Sequence, residues 1–192
     1  MLEQRLSLSM SAPGSSLARV DEARLRRIVE LHFDALWRFL RRLGISEGDA
    51  DDGVQEVILV LARKLDRVQE GSERSFVFST AFRIASDMRK RSKRRRAVEA
   101  SALYDLPSAG LDPEASAQQR RLGLLFAQVL EQLSLELRVV FVLYELEDFT
   151  MAEIAGALGV PAGTVASRLR RGRETFERLA AEVLTDAGEG SP

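Results

Sequence analysis

The segment from Phe149 to Phe176, FTMAEIAGALGVPAGTVASRLRRGRETF, carries four arginines within six residues, a density of cations that suits a polyanionic ligand. A guanidinium group can contact phosphates or bind a guanine edge through two hydrogen bonds. The apolar or small residues of one helical face are Val165, Leu169, Gly172 and Phe176. The polar residues that fall mostly elsewhere on the same helix are Ser167, Arg168, Arg170, Arg171 and Arg173.

The residues in front of that helix predict a second helix and a tight turn. Thr150 and Glu153 form a capping box, T-x-x-E, that begins the first helix. Gly159 can adopt the left-handed conformation that ends it, and Pro161 suits the start of the next helix. This layout is typical of a helix-turn-helix that places its second helix in the DNA major groove. The alternative is an amphipathic helical hairpin whose arginines are solvated. That alternative does not explain why the capping box, the turn residues and the arginines occur together.

A second cationic group lies between Arg89 and Arg96, where RKRSKRRR holds seven basic residues out of eight. Acidic residues gather instead around Glu47 to Glu56 and from Glu145 to Glu153, so the net charge of −1 hides a separation of charge. Such separation favours a polyanionic partner. Taken alone, the basic stretch is also compatible with a solvated helix end.

The rest of the chain predicts helices that would position these groups. Apolar residues recur at helical spacing from Leu25 to Leu43, ahead of Gly44. The polar stretch 46–52 should open a helix that runs to about Arg67, and a third helix should begin near Ser75. Helix resumes within 113–121, and its apolar positions are Leu122, Leu125, Phe126, Val129, Leu130 and Leu133.

The predicted fold class is therefore all-α, with two small helical domains joined by a flexible linker and a helix-turn-helix in the C-terminal one. Prolines and glycines mark the linker. The predicted boundaries are a flexible N-terminal tail at 1–20, a helical domain at 21–96, the linker at 97–117, the helix-turn-helix domain at 118–185 and a tail at 186–192.

Composition excludes several classes of protein. The chain has 192 residues, 45% of them hydrophobic and 30% charged, which is typical of a globular protein. No apolar run approaches the ~20 residues that span a membrane, and the N-terminus lacks the apolar core of a signal peptide. The absence of cysteine excludes disulfides and thiolate metal sites. We therefore expect a cytoplasmic protein that does not insert into a membrane.

Nothing in the sequence predicts catalysis. His32 is the one histidine, and it lies on a helix with an apolar face, so it is better interpreted as packed or surface than as a ligand. No glycine-rich phosphate loop and no nucleophile–base constellation is present. We expect no enzyme activity, no cofactor and no metal.

Three motifs in the expected order resemble the extracytoplasmic-function (ECF) group of the bacterial σ-seventy family, over roughly residues 22–182. DADDGVQEVI at 49–58 is similar to the family's acidic Asp-x-x-Gln-Glu-Val segment. SFVFSTAFRIASDMRKR at 75–91 resembles its promoter-melting helix, and residues 130–179 resemble its promoter-binding domain. The resemblance implies a σ factor that binds core RNA polymerase, recognises promoter DNA and promotes transcription initiation.

In the family, the first motif packs on a coiled coil of the polymerase. The matching positions are Asp52, Gln55 and Glu56. Their spacing of three and four residues places them on one helix face, and such an acid-and-amide face suits a basic partner helix. Without the neighbouring motifs, an ordinary solvated helix face would be the simpler interpretation.

The melting helix and the loop before it must hold the melted non-template strand. The loop 70–75 matches the loop that reads a flipped base of the minus-ten element. The residues assigned to the single strand are Ser72, Glu73, Arg74, Phe76, Arg83, Arg89, Lys90 and Arg91, with Lys93 and Arg94 extending the phosphate track. Phe76, Phe78 and Phe82 could stack bases, although core packing is the interpretation that we favour.

Two positions of this region depart from the family pattern. Phe76 stands where a tryptophan is common, and Arg83 stands where an asparagine is common. The first change is conservative for packing. The second replaces an amide near the unpaired strand by a longer cation, so it bears on minus-ten sequence preference.

The helix-turn-helix matches positions that contact the minus-thirty-five element. Ser167, Arg170 and Arg171 are the matching candidates, and Gly163 and Thr164 sit where the helix backbone approaches DNA. Arg168 and Arg173 are assigned to phosphates or to intramolecular pairs. Ala166 stands where a basic residue is frequent, so one contact with DNA is missing.

The partners implied by the resemblance are core RNA polymerase, promoter DNA as duplex and as melted strand, and an anti-σ factor. The anti-σ factor should cover the 52–56 face or the arginine face of the recognition helix. A conventional helix-turn-helix regulator would leave DADDGVQEVI and the basic third helix unexplained. A σ-mimic that titrates an anti-σ factor should have lost the basic residues, and an enzyme lacks a site.

Overall fold

The computed structural model describes residues 16–98 and 117–189, which form seven α-helices and one 3-10 turn without any strand. The N-terminal half contains α1 (Ser16–Arg42), α2 (Glu47–Lys64), the 3-10 turn Leu65–Arg67 and α3 (Glu73–Val98). The C-terminal half contains α4 (Ala117–Gln132), α5 (Leu135–Glu145), α6 (Met151–Leu158) and α7 (Ala162–Glu189). The all-α class is confirmed. The predicted linker and the outer parts of both predicted tails lie outside the described residues.

Three helix ends differ from the sequence-based expectation. Helix α1 begins at Ser16, inside the predicted tail, and α7 continues to Glu189. Helix α3 begins at Glu73 rather than near Ser75, so Glu73, Arg74 and Ser75 occupy a helical turn instead of the predicted loop. The reason is local, because the Phe76 amide donates to the Ser72 carbonyl oxygen and the Glu73 carboxylate favours the positive helix start.

Helices α1, α2 and α3 pack around one apolar core. Gly44 has a φ of 82°, which a glycine adopts readily where α1 must end. Ser46 then caps α2, its side chain accepting from the Asp49 amide. Gly53 is buried, and a Cβ atom there would lie 2.8 Å from Leu40 Cδ1. Because glycine has no Cβ atom, α2 can approach α1 closely at this point. Phe39 and Phe78 lie fully inside this core.

Arg24 ties α1 to the turn between α2 and α3. Its guanidinium donates to the carbonyl oxygens of Leu65 (3.2 Å) and Val68 (2.6 Å). It also contacts the Glu73 carboxylate at 2.8 Å, with both side chains mostly buried. This single side chain therefore ties the carbonyl oxygens of the 3-10 turn region to the first turn of α3.

The C-terminal half is built on the long helix α7. Phe176 lies 4.8 Å from Phe141 in a stacked arrangement and 5.5 Å from Phe126, measured between ring centroids. Gly172 is buried, and a Cβ atom there would lie 3.6 Å from the Leu137 carbonyl oxygen, so α5 and α7 pack closely. Of the apolar positions predicted in α4, Leu122 is the exception, because it is 52% exposed.

The two halves share one continuous core. Phe149, at the entrance to α6, packs edge-on against Phe78 of α3 with ring centroids 5.1 Å apart. Phe78 in turn packs against Phe39 of α1 at the same distance of 5.1 Å. The sequence predicted two domains separated by a linker, and it gave no indication that their apolar surfaces would meet.

We expect Arg24→Met to lower the free energy of unfolding by about 2 kcal/mol, because it leaves two carbonyl oxygens and a carboxylate without their cationic donor. Methionine keeps most of the apolar stem, so the change isolates the guanidinium. Urea denaturation followed by circular dichroism measures it. The matched control is Arg26→Met, which removes an exposed pair with Glu22 and should cost less than about 0.5 kcal/mol. Equal losses in the two variants would contradict this role of Arg24.

Candidate nucleic-acid interface

Helices α6 and α7 form the predicted helix-turn-helix. The Thr150 side chain accepts from the Glu153 amide while the Glu153 carboxylate accepts from the Thr150 amide at 2.8 Å, which confirms the capping box. The Thr150 hydroxyl also donates to the Glu153 carboxylate at 2.7 Å, and this hydrogen bond, together with the one from the Thr150 amide, lowers the pKa of Glu153. Gly159 has a φ of 67° and ends α6 in the left-handed conformation. The Pro161 carbonyl oxygen accepts the first hydrogen bonds of the next helix, from Thr164 and Val165.

The apolar face of α7 is the one that the sequence indicates. Val165, Leu169 and Gly172 are buried, and Phe176 is half-buried against Phe141. The opposite face, towards solvent, carries Arg170 and Arg171. Burial on one side therefore fixes the direction in which the cationic side of the recognition helix points.

Two of the four arginines are engaged inside the C-terminal half. Arg168 contacts the Glu136 carboxylate of α5 at 2.8 Å, and its side chain is only 19% exposed. Arg173 contacts Glu145 at 2.6 Å and lies over the Tyr144 ring, 5.2 Å from its centroid. The hydrogen bond with Glu145 raises the pKa of Arg173. Arg168 and Arg173 were predicted to contact phosphates or to form intramolecular pairs. In the structure, both arginines form intramolecular pairs.

The other two arginines are available to a ligand. Arg170 pairs with Glu174 one turn along the same helix, and both side chains are more than half exposed, so the pair is weak. Arg171 is exposed, and among the described residues it donates only to the Ser167 carbonyl oxygen at 3.4 Å. Arg171 is therefore the recognition-helix cation whose charge no described carboxylate offsets.

The small residues at the start of α7 line the same end of the helix. Gly163 is exposed, and a Cβ atom there would meet nothing within 4 Å, so packing against the described residues does not explain a glycine. Ala166 is exposed, and Thr164 and Ser167 are half-buried. The Ser167 hydroxyl donates to the Thr164 carbonyl oxygen at 2.9 Å. The assignment of Gly163 and Thr164 to backbone contacts with DNA stays a prediction.

The acid-and-amide face predicted on α2 is exposed as one surface. Asp52, Gln55 and Glu56 all face solvent, while Gly53 and Val57 are buried on the opposite side of the helix. Among the described residues, none of the three makes an ion pair. Leu59, which is 56% exposed, lies one turn further along the same face and adds an apolar side chain to it.

The residues predicted to read the minus-ten element are only partly accessible. Ser72 is exposed, but Glu73 is bound to Arg24, and that hydrogen bond lowers the pKa of Glu73. Arg74 donates to the Glu147 carbonyl oxygen and lies over the Phe149 ring, 4.2 Å from its centroid. In this structure Arg74 therefore contacts the C-terminal half, and its assignment to the single strand stays a prediction.

The three phenylalanines of α3 all contact the core, but they differ in how deeply they are buried. Phe78 is 1% exposed and cannot stack a base in this arrangement. Phe76 and Phe82 are half-buried against the core. The assignment of Phe76 to the single strand stays a prediction.

The predicted phosphate track is exposed except at one position. Arg83, Lys90 and Arg91 face solvent, and Lys90 pairs with Asp87 at 3.4 Å. Arg89 instead donates to the Leu43 carbonyl oxygen at 2.7 Å and is half-buried. This α1 carbonyl lies at the end of a helix, where it attracts a cation and draws Arg89 away from the track.

Three buried charged residues were not predicted from the sequence, namely Arg41, Arg138 and Glu147. Glu147 is 7% exposed and contacts Arg42 of α1 at 2.7 Å. Arg138 is 1% exposed, donates to the Leu133 carbonyl oxygen at 3.1 Å and has two nitrogens, Nε and Nη1, without a partner. Burial, together with the nearby charge of Arg89, lowers the pKa of Arg138 to about 10. The sequence signal that could have revealed Arg138 is its position as a cation inside the apolar run of α5.

The described residues hold neither a metal-binding cluster nor a membrane-spanning helix. They contain no group of three or more histidine, cysteine, aspartate or glutamate side chains that could hold a metal ion. His32 is half-buried, and burial lowers its pKa. Within the same residues, no helix combines the length and apolar composition that crossing a bilayer requires.

We expect Arg171→Ala to reduce the salt dependence of duplex DNA binding by about one unit of slope, because it removes an exposed cation that can release a counterion. Arg168→Ala removes the same charge from a side chain that already contacts Glu136, so the slope should stay unchanged. Fluorescence anisotropy with a mixed-sequence duplex over a potassium chloride series measures both. Equal slopes for the two variants would contradict the division between engaged and available arginines.

Comparison with known proteins matches both halves. Residues 28–95 match Sigma-70 region 2, and residues 124–176 match Sigma-70, region 4. The ECF RNA polymerase sigma factor SigE of Mycolicibacterium smegmatis is 29% identical over 165 residues, which cover 85% of this chain and 64% of that protein. ECF RNA polymerase sigma factor SigL of Mycobacterium tuberculosis is 31% identical over 157 residues, which cover 81% of this chain and 88% of SigL.

The fold has solved counterparts as well. The sigma factor RpoE from Bartonella quintana, crystallised in complex with the anti-sigma factor NepR, superposes with a TM-score of 0.67 at 23% identity. The match covers 80% of this chain and 94% of RpoE, so it shows that the helical arrangement is shared. Given both family regions in order and the match to most of SigL, the chain belongs to the ECF group of the sigma-70 family.

Proposed function

We propose that this protein acts as an ECF σ factor that binds core RNA polymerase, recognises promoter DNA and promotes transcription initiation. The observation that carries the proposal is the presence, in one chain, of an exposed acid-and-amide face on α2 and a capped helix-turn-helix with available arginines. Neither feature alone requires a σ factor. We further propose that it works in the cytoplasm and has no catalytic activity of its own.

Core polymerase would bind the face of α2. Asp52 and Glu56 supply negative charge, Gln55 supplies an amide, and Leu59 supplies an apolar contact within one strip of the helix. Charged side chains at the rim of an interface steer association, whereas a desolvated apolar side chain adds affinity. A basic helix of the polymerase with a small apolar groove fits this strip.

Promoter DNA would be bound at two places. The N-terminal end of α7 enters the major groove of the minus-thirty-five element, with Arg170 and Arg171 closest to the bases and Ser167 beside them. The start of α3 and its exposed cations, Arg83, Lys90 and Arg91, hold the melted strand of the minus-ten element. Arg83, in place of the family's asparagine, gives this second contact a larger electrostatic component.

An anti-σ factor is a further expected partner. The σ factor RpoE of Bartonella quintana is seen with such a partner, NepR. The 52–56 face and the arginine face of α7 are the surfaces that we propose for it, because both are exposed and strongly charged. Charge reversal at either face should then weaken the complex, and unchanged binding by both reversals would contradict these surfaces.

We expect Asp52→Arg combined with Gln55→Ala to weaken co-elution with bacterial core RNA polymerase by about tenfold or more, because one charge is reversed and one amide is lost at the face. Transcripts from a library of random upstream sequences should share two promoter elements with the unchanged protein and disappear with the variant.

The matched control is Asp34→Arg combined with Gln128→Ala, which makes the same chemical changes at exposed positions of α1 and α4. It should co-elute and transcribe as the unchanged protein does. Duplex binding without any polymerase binding or transcript would point instead to a conventional helix-turn-helix regulator.

A further inference from the structure

The turn between α2 and α3 is closed by a single nitrogen atom of Arg24. Its Nη2 atom donates to the Val68 carbonyl oxygen at 2.6 Å on one side of the turn and to the Glu73 carboxylate at 2.8 Å on the other. Residues 69–72 lie between these two contacts, and we call the pair of Arg24 and Glu73 the brace. Both side chains of the brace are mostly buried, which strengthens a charge-assisted hydrogen bond. The turn therefore cannot widen unless the brace breaks.

The backbone of the turn is fixed as well. The Ser72 amide donates to the Gln69 carbonyl oxygen at 3.0 Å. Gly71 has a φ of 84°, a conformation that glycine adopts readily, and a Cβ atom there would meet nothing within 4 Å. Hydrogen bonding from Arg24, and then from the backbone of Glu73 and Gly71, lowers the pKa of Glu73. The Glu73 carboxylate is thus engaged in holding the shape of the turn.

The turn presents its other polar groups to solvent. Gln69, Glu70 and Ser72 are exposed, and their side chains form no hydrogen bond or ion pair with the described residues. Glu73 and Ser72 were both assigned to the minus-ten strand, but the Glu73 carboxylate already accepts from Arg24. The side chains that can meet an unstacked base without breaking the brace are therefore those of the turn itself.

The Glu70 carboxylate favours bases of one chemical class. An ionised carboxylate only accepts hydrogen bonds, whereas the Ser72 hydroxyl and the Gln69 amide group can donate or accept. Adenine N6 and cytosine N4 are amino donors, while guanine O6 and thymine O4 are carbonyl acceptors at the matching place. Glu70 is therefore the side chain of the turn that distinguishes an amino base from a keto base.

We propose that the turn 69–72 selects an amino base, adenine or cytosine, in the melted strand, and that Arg24 is a positioning residue for this selection. The inference rests on the proposed function, because the strand is the one that the minus-ten site holds. Arg24 does not touch the base. It acts through Glu73 and the Val68 carbonyl oxygen, and it holds Glu70 in place before the base arrives. A site ordered in advance loses less entropy on binding and keeps its carboxylate where a keto base is repelled.

Selection from a pool of oligonucleotides tests the proposal without knowledge of the promoter. Holoenzyme formed from the full chain and bacterial core RNA polymerase is bound to DNA that carries a randomised single-stranded stretch beside a fixed duplex, and the bound fraction is sequenced. We expect one position at which adenine and cytosine together are enriched at least about fivefold over guanine and thymine, the lower end of what one good base contact discriminates. The sequences also separate adenine from cytosine.

Arg24→Met and Glu73→Ala break the brace from its two sides. Each should reduce the amino preference to less than about twofold at that one position, while preferences elsewhere stay unchanged and overall affinity changes by less than about threefold. The double variant should lose no more than either single variant, because both act through one interaction. Arg26→Met makes the same substitution in an exposed pair on α1 and should keep the full preference. Circular dichroism at the binding temperature checks that each variant is folded.

Glu70→Gln tests the base class with the brace intact. Glutamine can donate as well as accept, so the amino preference should again fall to less than about twofold at the same position. The matched control is Glu30→Gln, at an exposed position of α1, which should leave every preference unchanged.

Three results would contradict the inference or its basis, and they are distinguishable. A preference that survives in both Arg24→Met and Glu73→Ala, or an equal loss of preference at all positions, would overturn the positioning role of Arg24. A pool enriched in other bases, without an amino preference that depends on Arg24, would overturn the choice of base class. Failure of the unchanged protein to bind polymerase, or to enrich any base, would overturn the proposed function itself.

Discussion

The burial of Phe149 against Phe78 is the interaction on which the arrangement of the whole chain depends. It joins two helical units, each with its own core, into one continuous core. Burying a phenylalanine contributes about 1.5–3 kcal/mol, and an edge-on aromatic pair adds about 0.5–1.5 kcal/mol. That is enough to keep the halves together in the free protein. A partner can separate the halves only if it binds the separated state more tightly than the joined state by at least this free energy.

The distribution of arginines shows how one residue type serves two purposes. Arg24, Arg168 and Arg173 bind carboxylates across helices, and they hold the turn before α3 and the α5–α7 contact in place. Arg171 and the exposed cations of α3 keep their charge directed at solvent. Fewer cations are therefore available to a polyanion than the sequence suggests. The arginines that bind carboxylates stabilise the helices that carry the available cations.

Much of the fold could be predicted because its signals are local. The Thr150–Glu153 capping box and the left-handed Gly159 depend on residues within one or two turns, so the sequence contains the whole interaction. The buried face of α7 follows in the same way from helical periodicity. The predicted start of α3 was two residues too late. Gly71 and Ser72 favour a loop, but the hydrogen bond from the Phe76 amide to the Ser72 carbonyl oxygen begins the helix at Glu73.

The sequence by itself determined the helices, the order of the two family regions and the face of each helix that meets solvent, since these depend on neighbours along the chain. The tertiary structure alone decided which charges remain free and that the two halves meet. Arg42 and Glu147 are 105 residues apart, and Arg74 reaches the Glu147 backbone across 73 residues. No local pattern encodes such contacts, because they exist only after the cores of both halves have formed and brought their surfaces together.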